Sequence, residues 1–155
     1  MKDTFERRMA VGLPLADAWT YLHDVDALAS CSSYLQPVEV IEDGRRWSTV
    51  LQDRVGPFRL SAPVVVEILD ERDLQSIEMR ASGQDRGLGT RLRVDAAMQC
   101  RHSDDGDGTA LVMRGTYDVT GRVAALGAAV VRRQAGTMID EFWRNLEALL
   151  GTADR

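Results

Sequence analysis

Between Pro37 and Val119 the apolar residues recur at every second position, and from Arg122 to Leu150 the spacing changes to three and four. Such a chain must build a sheet with one dry face and a long amphipathic helix to cover it. Pro37 to Glu42 reads as a short strand closed by the turn pair Asp43-Gly44. Trp47, Thr49, Leu51, Asp53 and Val55 share one face of the next strand, which Gly56-Pro57 ends. Phe58, Leu60, Ala62, Val64, Val66 and Ile68 alternate through a long strand, with Pro63 pointing the other way as at an edge or bulge. Ile77 to Gly83, Leu92 to Cys100 and Leu111 to Val119 give three more strands, the last two separated by the polar turn Asp104 to Gly108.

Phe5 to Val11 forms a first strand ahead of this block. Gly12 and Pro14 stop it. Two short helices follow, Leu15 to His23 and then Val25 to Ala29, the second with Asp24 as its N-cap. After Gly121 no proline interrupts the last segment. Val123, Leu126, Val130, Met138, Phe142, Leu146 and Leu149 mark its apolar stripe, with Trp143 off it as a candidate exposed contact. The class is α+β: a seven-stranded curved antiparallel sheet wrapped around a long C-terminal helix, with two short helices after strand 1. Residues 1–150 read as one domain and 151–155 as a short tail.

A helix touches a curved sheet along a line, so the space beside it becomes packed core or cavity. Small residues bear on that choice: Ala62, Ala81, Gly83, Ala96 and Gly115 on the sheet, and Ala124, Ala125, Gly127, Ala128, Ala129, Ala135 and Gly136 on the helix. They either leave volume for an apolar ligand or let helix and sheet approach closely.

Net charge narrows the partners. The formal charge is −5, which argues against nucleic acid as the main partner. No run approaches a membrane span, and Met1 to Arg8 lacks the apolar core of a signal peptide, so the expectation is a cytoplasmic protein. Cys31 and Cys100 read as small buried hydrophobes. Cys100 and His102 would be half a metal site with no second half, so no metal is expected. No catalytic residues are assigned.

The order of these segments resembles the START-like (SRPBCC) superfamily, and most closely the CoxG family of carbon monoxide dehydrogenase subunits. The resembling positions are Val11 to Leu22 (VGLPLADAWTYL), Leu28 to Cys31 with the following loop (LASCSSYL), and Val55-Gly56-Pro57-Phe58. They continue at Gly83 to Gly89 (GQDRGLG), Gly121 to Gly127 (GRVAALG), and the closing Phe142 with Asn145-Leu146. The resemblance implies a helix-grip fold with a lipophilic pocket. It also implies a bound quinone or lipid, no covalent cofactor, a role beside molybdenum hydroxylase subunits, and peripheral contact with the cytoplasmic face of the inner membrane. The chain departs from the family pattern at Ser32-Ser33-Tyr34, where Pro-Gly is common, and at Asp53, where the inward face is usually apolar. It also stops at Arg155, where many members carry an extension, so membrane contact would fall to the domain itself.

The expected pocket residues are Leu51, Val64, Met79, Met98, Met113, Met138 and Phe142, with Asp53, Tyr117 and Tyr34 as polar groups. Asp53 points between Leu51 and Val55 into an apolar concavity, where a carboxylate needs protonation or a hydrogen bond. Tyr117 is the candidate partner, and a ligand carbonyl or hydroxyl the candidate function. The plain alternative is a strand-end aspartate that reaches water or Arg54. Trp19, Tyr34 and Trp47 are candidates for a pocket rim. Arg122, Arg132 and Arg133 form a basic patch that is either a solvated helix face or a docking surface. Three functions compete: a lipophile-binding accessory protein, a cyclase or aromatase acting on a hydrophobic aromatic substrate, and a structural adaptor with a filled interior.

Overall fold

Every segment with a period of two becomes a strand. The computed structural model describes residues 1–104 and 106–153. The strands are β1 (Lys2–Val11), β2 (Glu39–Glu42), β3 (Arg46–Val55), β4 (Phe58–Arg72), β5 (Ser76–Asp85), β6 (Thr90–His102) and β7 (Thr109–Thr120). They form one antiparallel sheet in the order β1-β7-β6-β5-β4-β3-β2. Helices α1 (Leu15–Leu22) and α2 (Val25–Ala29) fill the crossover from β1 to β2, and α3 (Ala128–Ala153) closes the chain. This is the helix-grip architecture. The Asp24 side chain accepts from Ala27 N at 3.1 Å and so caps α2. Asp105, inside the expected polar turn, and Asp154 and Arg155 of the expected tail lie outside the described residues.

Several local expectations are corrected. Strand β1 begins at Lys2 and β2 begins at Glu39. The closing helix does not run unbroken from Arg122: a 3-10 turn spans Ala124–Leu126, and Gly127 takes φ 106°, a conformation that favours glycine. Val123 and Leu146 of the expected stripe are buried, Met138 and Phe142 face the interior, and Leu126, Val130 and Leu149 pack against the core; Val131, Trp143 and Leu150, off that stripe, are buried as well, so the covered face is wider than expected. Trp143 is not an exposed contact; its indole N–H donates to the Arg8 carbonyl at 3.2 Å. Finally, α3 continues through Gly151 to Ala153, so the expected tail is helical up to there.

Pro63 is explained by where β4 and β5 part. Strand β4 is interior, flanked by β3 and β5, yet its ladder with β5 begins only at Val64↔Gly83. The Ser61 N–H points to the β5 side, where it donates to Asp85 Oδ2 at 2.9 Å. Alternate N–H groups of a strand point the same way. The missing N–H of Pro63 thus falls on the side where no ladder bond is required. A Cβ at Gly83 would lie 2.6 Å from the Pro63 carbonyl oxygen. Gly83 is therefore small for close approach and leaves no cavity.

Two apolar clusters hold helix to sheet. One joins Met9, Leu13, Ala18, Leu22, Ile77, Leu111, Trp143, Leu146 and Leu150 under the C-terminal half of α3. The other joins Val55, Leu60, Ala62, Tyr117, Val123 and Val131 under its N-terminal end. The space between helix and sheet is where the candidate site lies.

Candidate ligand-binding site

Two apolar chambers remain beneath α3. The larger, about 150 Å³, lies between the sheet and α1–α2. Leu22, Val25, Leu28 and Ala29 close it from the helical side, and Trp47, Thr49, Val66, Ile77, Met79, Met98 and Met113 from the sheet. The smaller, about 120 Å³, lies toward the N-terminal end of α3 against Leu51, Val55, Leu60, Leu92, Val94, Tyr117 and Val119. Met138 lines the smaller chamber and Phe142 the larger. Residues four apart on a helix share a face, so the chambers follow one another along α3.

The small residues divide between the two readings. Ala96 lines the larger chamber and Ala135 the smaller. At Gly115 an added Cβ would meet Phe5 Cζ at 2.5 Å, so the Phe5 ring occupies the space that the glycine leaves. Phe5 in turn stacks on Tyr117 with centroids 6.5 Å apart.

A third, open depression of about 1050 Å³ takes in residues from both faces of the sheet. Ala96 and Gly115 are paired in the ladder there, so it is two depressions back to back. On the concave side Phe5, Met79, Tyr117, Gly136 and Ile139 border it. Two ion pairs between β1 and α3 frame it: Arg132 Nε to Asp3 Oδ2 at 2.7 Å and Arg7 Nη2 to Asp140 Oδ1 at 2.8 Å. A Cβ at Gly136 would meet nothing within 4 Å. Arg132 is thus engaged with Asp3, which takes it out of the expected basic patch.

The polar groups fall into separate pairs. Asp53 Oδ1 accepts from Arg54 N at 2.7 Å, and Oδ2 accepts from Gln134 Nε2. Its partner is not Tyr117, because α3 brings Gln134 over the end of β3. Tyr117 instead stands beside Asp3; burial chiefly, and then the Asp3 charge, push its hydroxyl above the usual tyrosine range. The Asp3 carboxyl is held below the usual carboxylate range by the Thr4 N–H first and by Arg132 next. Tyr34 lies in the loop after α2, where its carbonyl accepts from Gln52 N at 2.9 Å. Burial and the charges of Asp53 and Glu141 raise its hydroxyl pKa. Glu141 also accepts from Ser33 Oγ at 2.7 Å, which ties that loop to α3.

Of the expected pocket residues, Leu51, Tyr117 and Met138 line the smaller chamber, and Met79, Met98, Met113 and Phe142 the larger. Val64 is buried core that borders neither. Asp53 and Tyr34 sit at the β3–α3 rim. Trp47 lines the larger chamber, and Trp19 tilts against His23 with ring centroids 4.9 Å apart. Gln134 and Thr49 are not among the expected pocket residues, although alternation places Thr49 on the dry face of its strand. Burial raises the Cys100 thiol to about 11, well away from reactivity. Among the described residues no three His, Cys, Asp or Glu side chains gather to hold a metal ion.

Taken together, the curved sheet, the gripping helix and the apolar interior define a START-like domain. Solved structures agree on the fold. A conserved protein from Geobacillus kaustophilus superposes with TM-score 0.82 at 15% identity, covering 99% of this chain and 97% of that one. A START superfamily protein from Mycobacterium smegmatis gives 0.73 at 10% identity over 97% and 98% of the chains. The Zhui aromatase/cyclase from Streptomyces sp. R1128 gives 0.69 at 18% identity over 100% and 95%. No curated protein sequence matches the chain. The family model for the carbon monoxide dehydrogenase subunit CoxG matches residues 8–151, and the chain belongs to that family.

Proposed function

We propose that this protein binds a lipophilic molecule, a quinone or a lipid, as an accessory to a molybdenum hydroxylase of the carbon monoxide dehydrogenase type. The observation that carries the reading is the pair of apolar chambers under α3, about 150 and 120 Å³. Apolar voids of this size stay dry and accept apolar guests. Met79, Met98, Met113 and Met138 line them, and methionine walls yield to irregular ligands. Family membership supports the accessory role.

The cytoplasmic face of the inner membrane is the proposed place of exchange. Among the described residues no helix is long and apolar enough to cross a membrane. Contact would instead fall to an edge of the sheet: Val40 and Ile41 on β2 are 59% and 53% exposed, and Val38 just before them lines the larger chamber.

Cyclase-type catalysis needs a placed acid and base in the pocket. Asp53 and Tyr117 do not form such a pair here, since each engages a different partner. Native mass spectrometry with lipid extraction, on protein made in its own host, tests the binding reading. A stoichiometric lipophile, with hydroxylase subunits recovered in the same purification, is the expected result. Protein free of any extractable lipophile, or turnover of an aromatic substrate that is lost in Asp53→Asn, would replace the proposal.

A further inference from the structure

Among the described residues Thr49 carries the one buried side-chain hydroxyl without a hydrogen-bond partner. It is 5% exposed, and its Oγ1 has no partner among the described residues. The other buried threonines are satisfied: Thr109 Oγ1 donates to the Leu13 carbonyl at 2.7 Å, and Thr90 Oγ1 accepts from Val123 N at 3.3 Å. A buried hydroxyl without a partner is costly, whereas valine of the same shape would carry no such cost. Thr49 lines the larger chamber, where it carries the only hydroxyl among the described lining residues; the Oγ1 itself is covered, and a turn about χ1 would present it to a guest.

The size of that chamber restricts the guest. An apolar cavity of about 150 Å³ holds one benzene-sized ring. Trp47 and Phe142 offer ring faces and edges, and the thioethers of Met79, Met98 and Met113 favour aromatic contact. We propose that this chamber receives a six-membered ring carrying at least one oxygen substituent, and that Thr49 Oγ1 hydrogen-bonds that oxygen. The proposal rests on the ligand-binding reading above and adds the residue that selects the ligand's polar group.

The test uses p-cresol and toluene as probes, titrated by calorimetry into the wild-type chain, Thr49→Val and Thr49→Ser. Loss of one hydrogen bond should weaken p-cresol about five- to tenfold in Thr49→Val. Toluene should bind both proteins alike, and Thr49→Ser should keep the preference for p-cresol. The ligand-free Thr49→Val protein should melt at a higher temperature than wild type, because an unpaired hydroxyl has been removed. Equal p-cresol affinity in wild type and Thr49→Val, with both probes bound, would remove Thr49 from recognition and leave the chamber standing. A lower melting temperature for Thr49→Val would mean that a protein group already satisfies the hydroxyl, and would overturn the proposal. If neither probe binds while a host lipophile is extracted, the ring assignment fails and the carrier reading survives; if none is extracted either, both fall.

Discussion

Filling the larger chamber should make the protein more stable and a poorer binder. An enclosed, unfilled cavity costs about 24 cal/mol per Å³, so for 150 Å³ the cost is at most about 3.6 kcal/mol. Val66 on β4 and Val25 on α2 face this space from opposite walls. Val66→Ile with Val25→Ile adds two methylenes, each worth about 0.8 kcal/mol when buried, so the gain is at most about 1.6 kcal/mol. For a chain of this length 1 kcal/mol moves Tm by about 2–4 °C, which gives a rise of about 3–6 °C. Thermal unfolding followed by circular dichroism reads the stability, and displacement of a solvatochromic dye reads the binding. Were the interior close-packed, the same methylenes would overpack it at a cost of about 1–3 kcal/mol. A fall in Tm would therefore refute the chamber, and unchanged dye affinity beside a rise in Tm would separate the chamber from binding.

Three further outcomes are expected. Trp143→Phe should destabilise by about 1–3 kcal/mol in urea unfolding, since the Arg8 carbonyl loses the indole donor at 3.2 Å; a neutral change would mean the indole N–H contributes nothing to packing β1 on α3. Gly115→Ala should cost about 1–3 kcal/mol, because the new Cβ would sit 2.6 Å from the Asp95 carbonyl oxygen, and trimming Phe5 cannot relieve a backbone contact. Asp85 has its pKa lowered, first by the Ser61 N–H and then by those of Leu88 and Gly87. Its contribution to stability is thus present above the unfolded carboxylate value and is lost as pH falls through the lower folded value. Denaturant titrations from pH 5 to pH 3 should show a steeper loss in wild type than in Asp85→Asn, and parallel curves would assign the acid sensitivity elsewhere.

The period of the apolar residues made the sheet legible because a strand has only two faces, and one error of register would invert every side chain. Asp24 and Pro14 marked helix starts for equally local reasons. The start of α3 was not legible. It depends on the break at Gly127, and a glycine in an alanine-rich segment reads as tolerated helix as readily as a stop. The width of its buried face was not legible either, and Trp143, next to the stripe residue Phe142, fell outside the narrower expected stripe. The partners of Asp53 and Tyr117 were hidden for a different reason: cross-sheet distance is set by curvature, and which helical residue hangs over β3 is decided only when α3 docks. Gly83 and Gly115 looked like cavity formers because composition cannot say whether a neighbour's carbonyl or ring moves into the vacated space.

Why the chambers do not collapse is a question about the rims of the helix. On the β1 side α3 is tied by Arg132–Asp3 and Arg7–Asp140, and on the β3 side by Gln134–Asp53 and by Glu141 to Ser33. Partly exposed ion pairs and hydrogen bonds of this sort contribute little to stability. They do occupy both flanks of the helix. Drawing α3 down by the width of a methyl group would strain several of them together and would press Phe142 and Met138 into the sheet. Their energetic weight is small, but their geometry opposes the closure that hydrophobic contact favours. Polar fasteners at the edges thus preserve an apolar gap in the middle, so the stability forgone on folding becomes available to a guest that fills the gap.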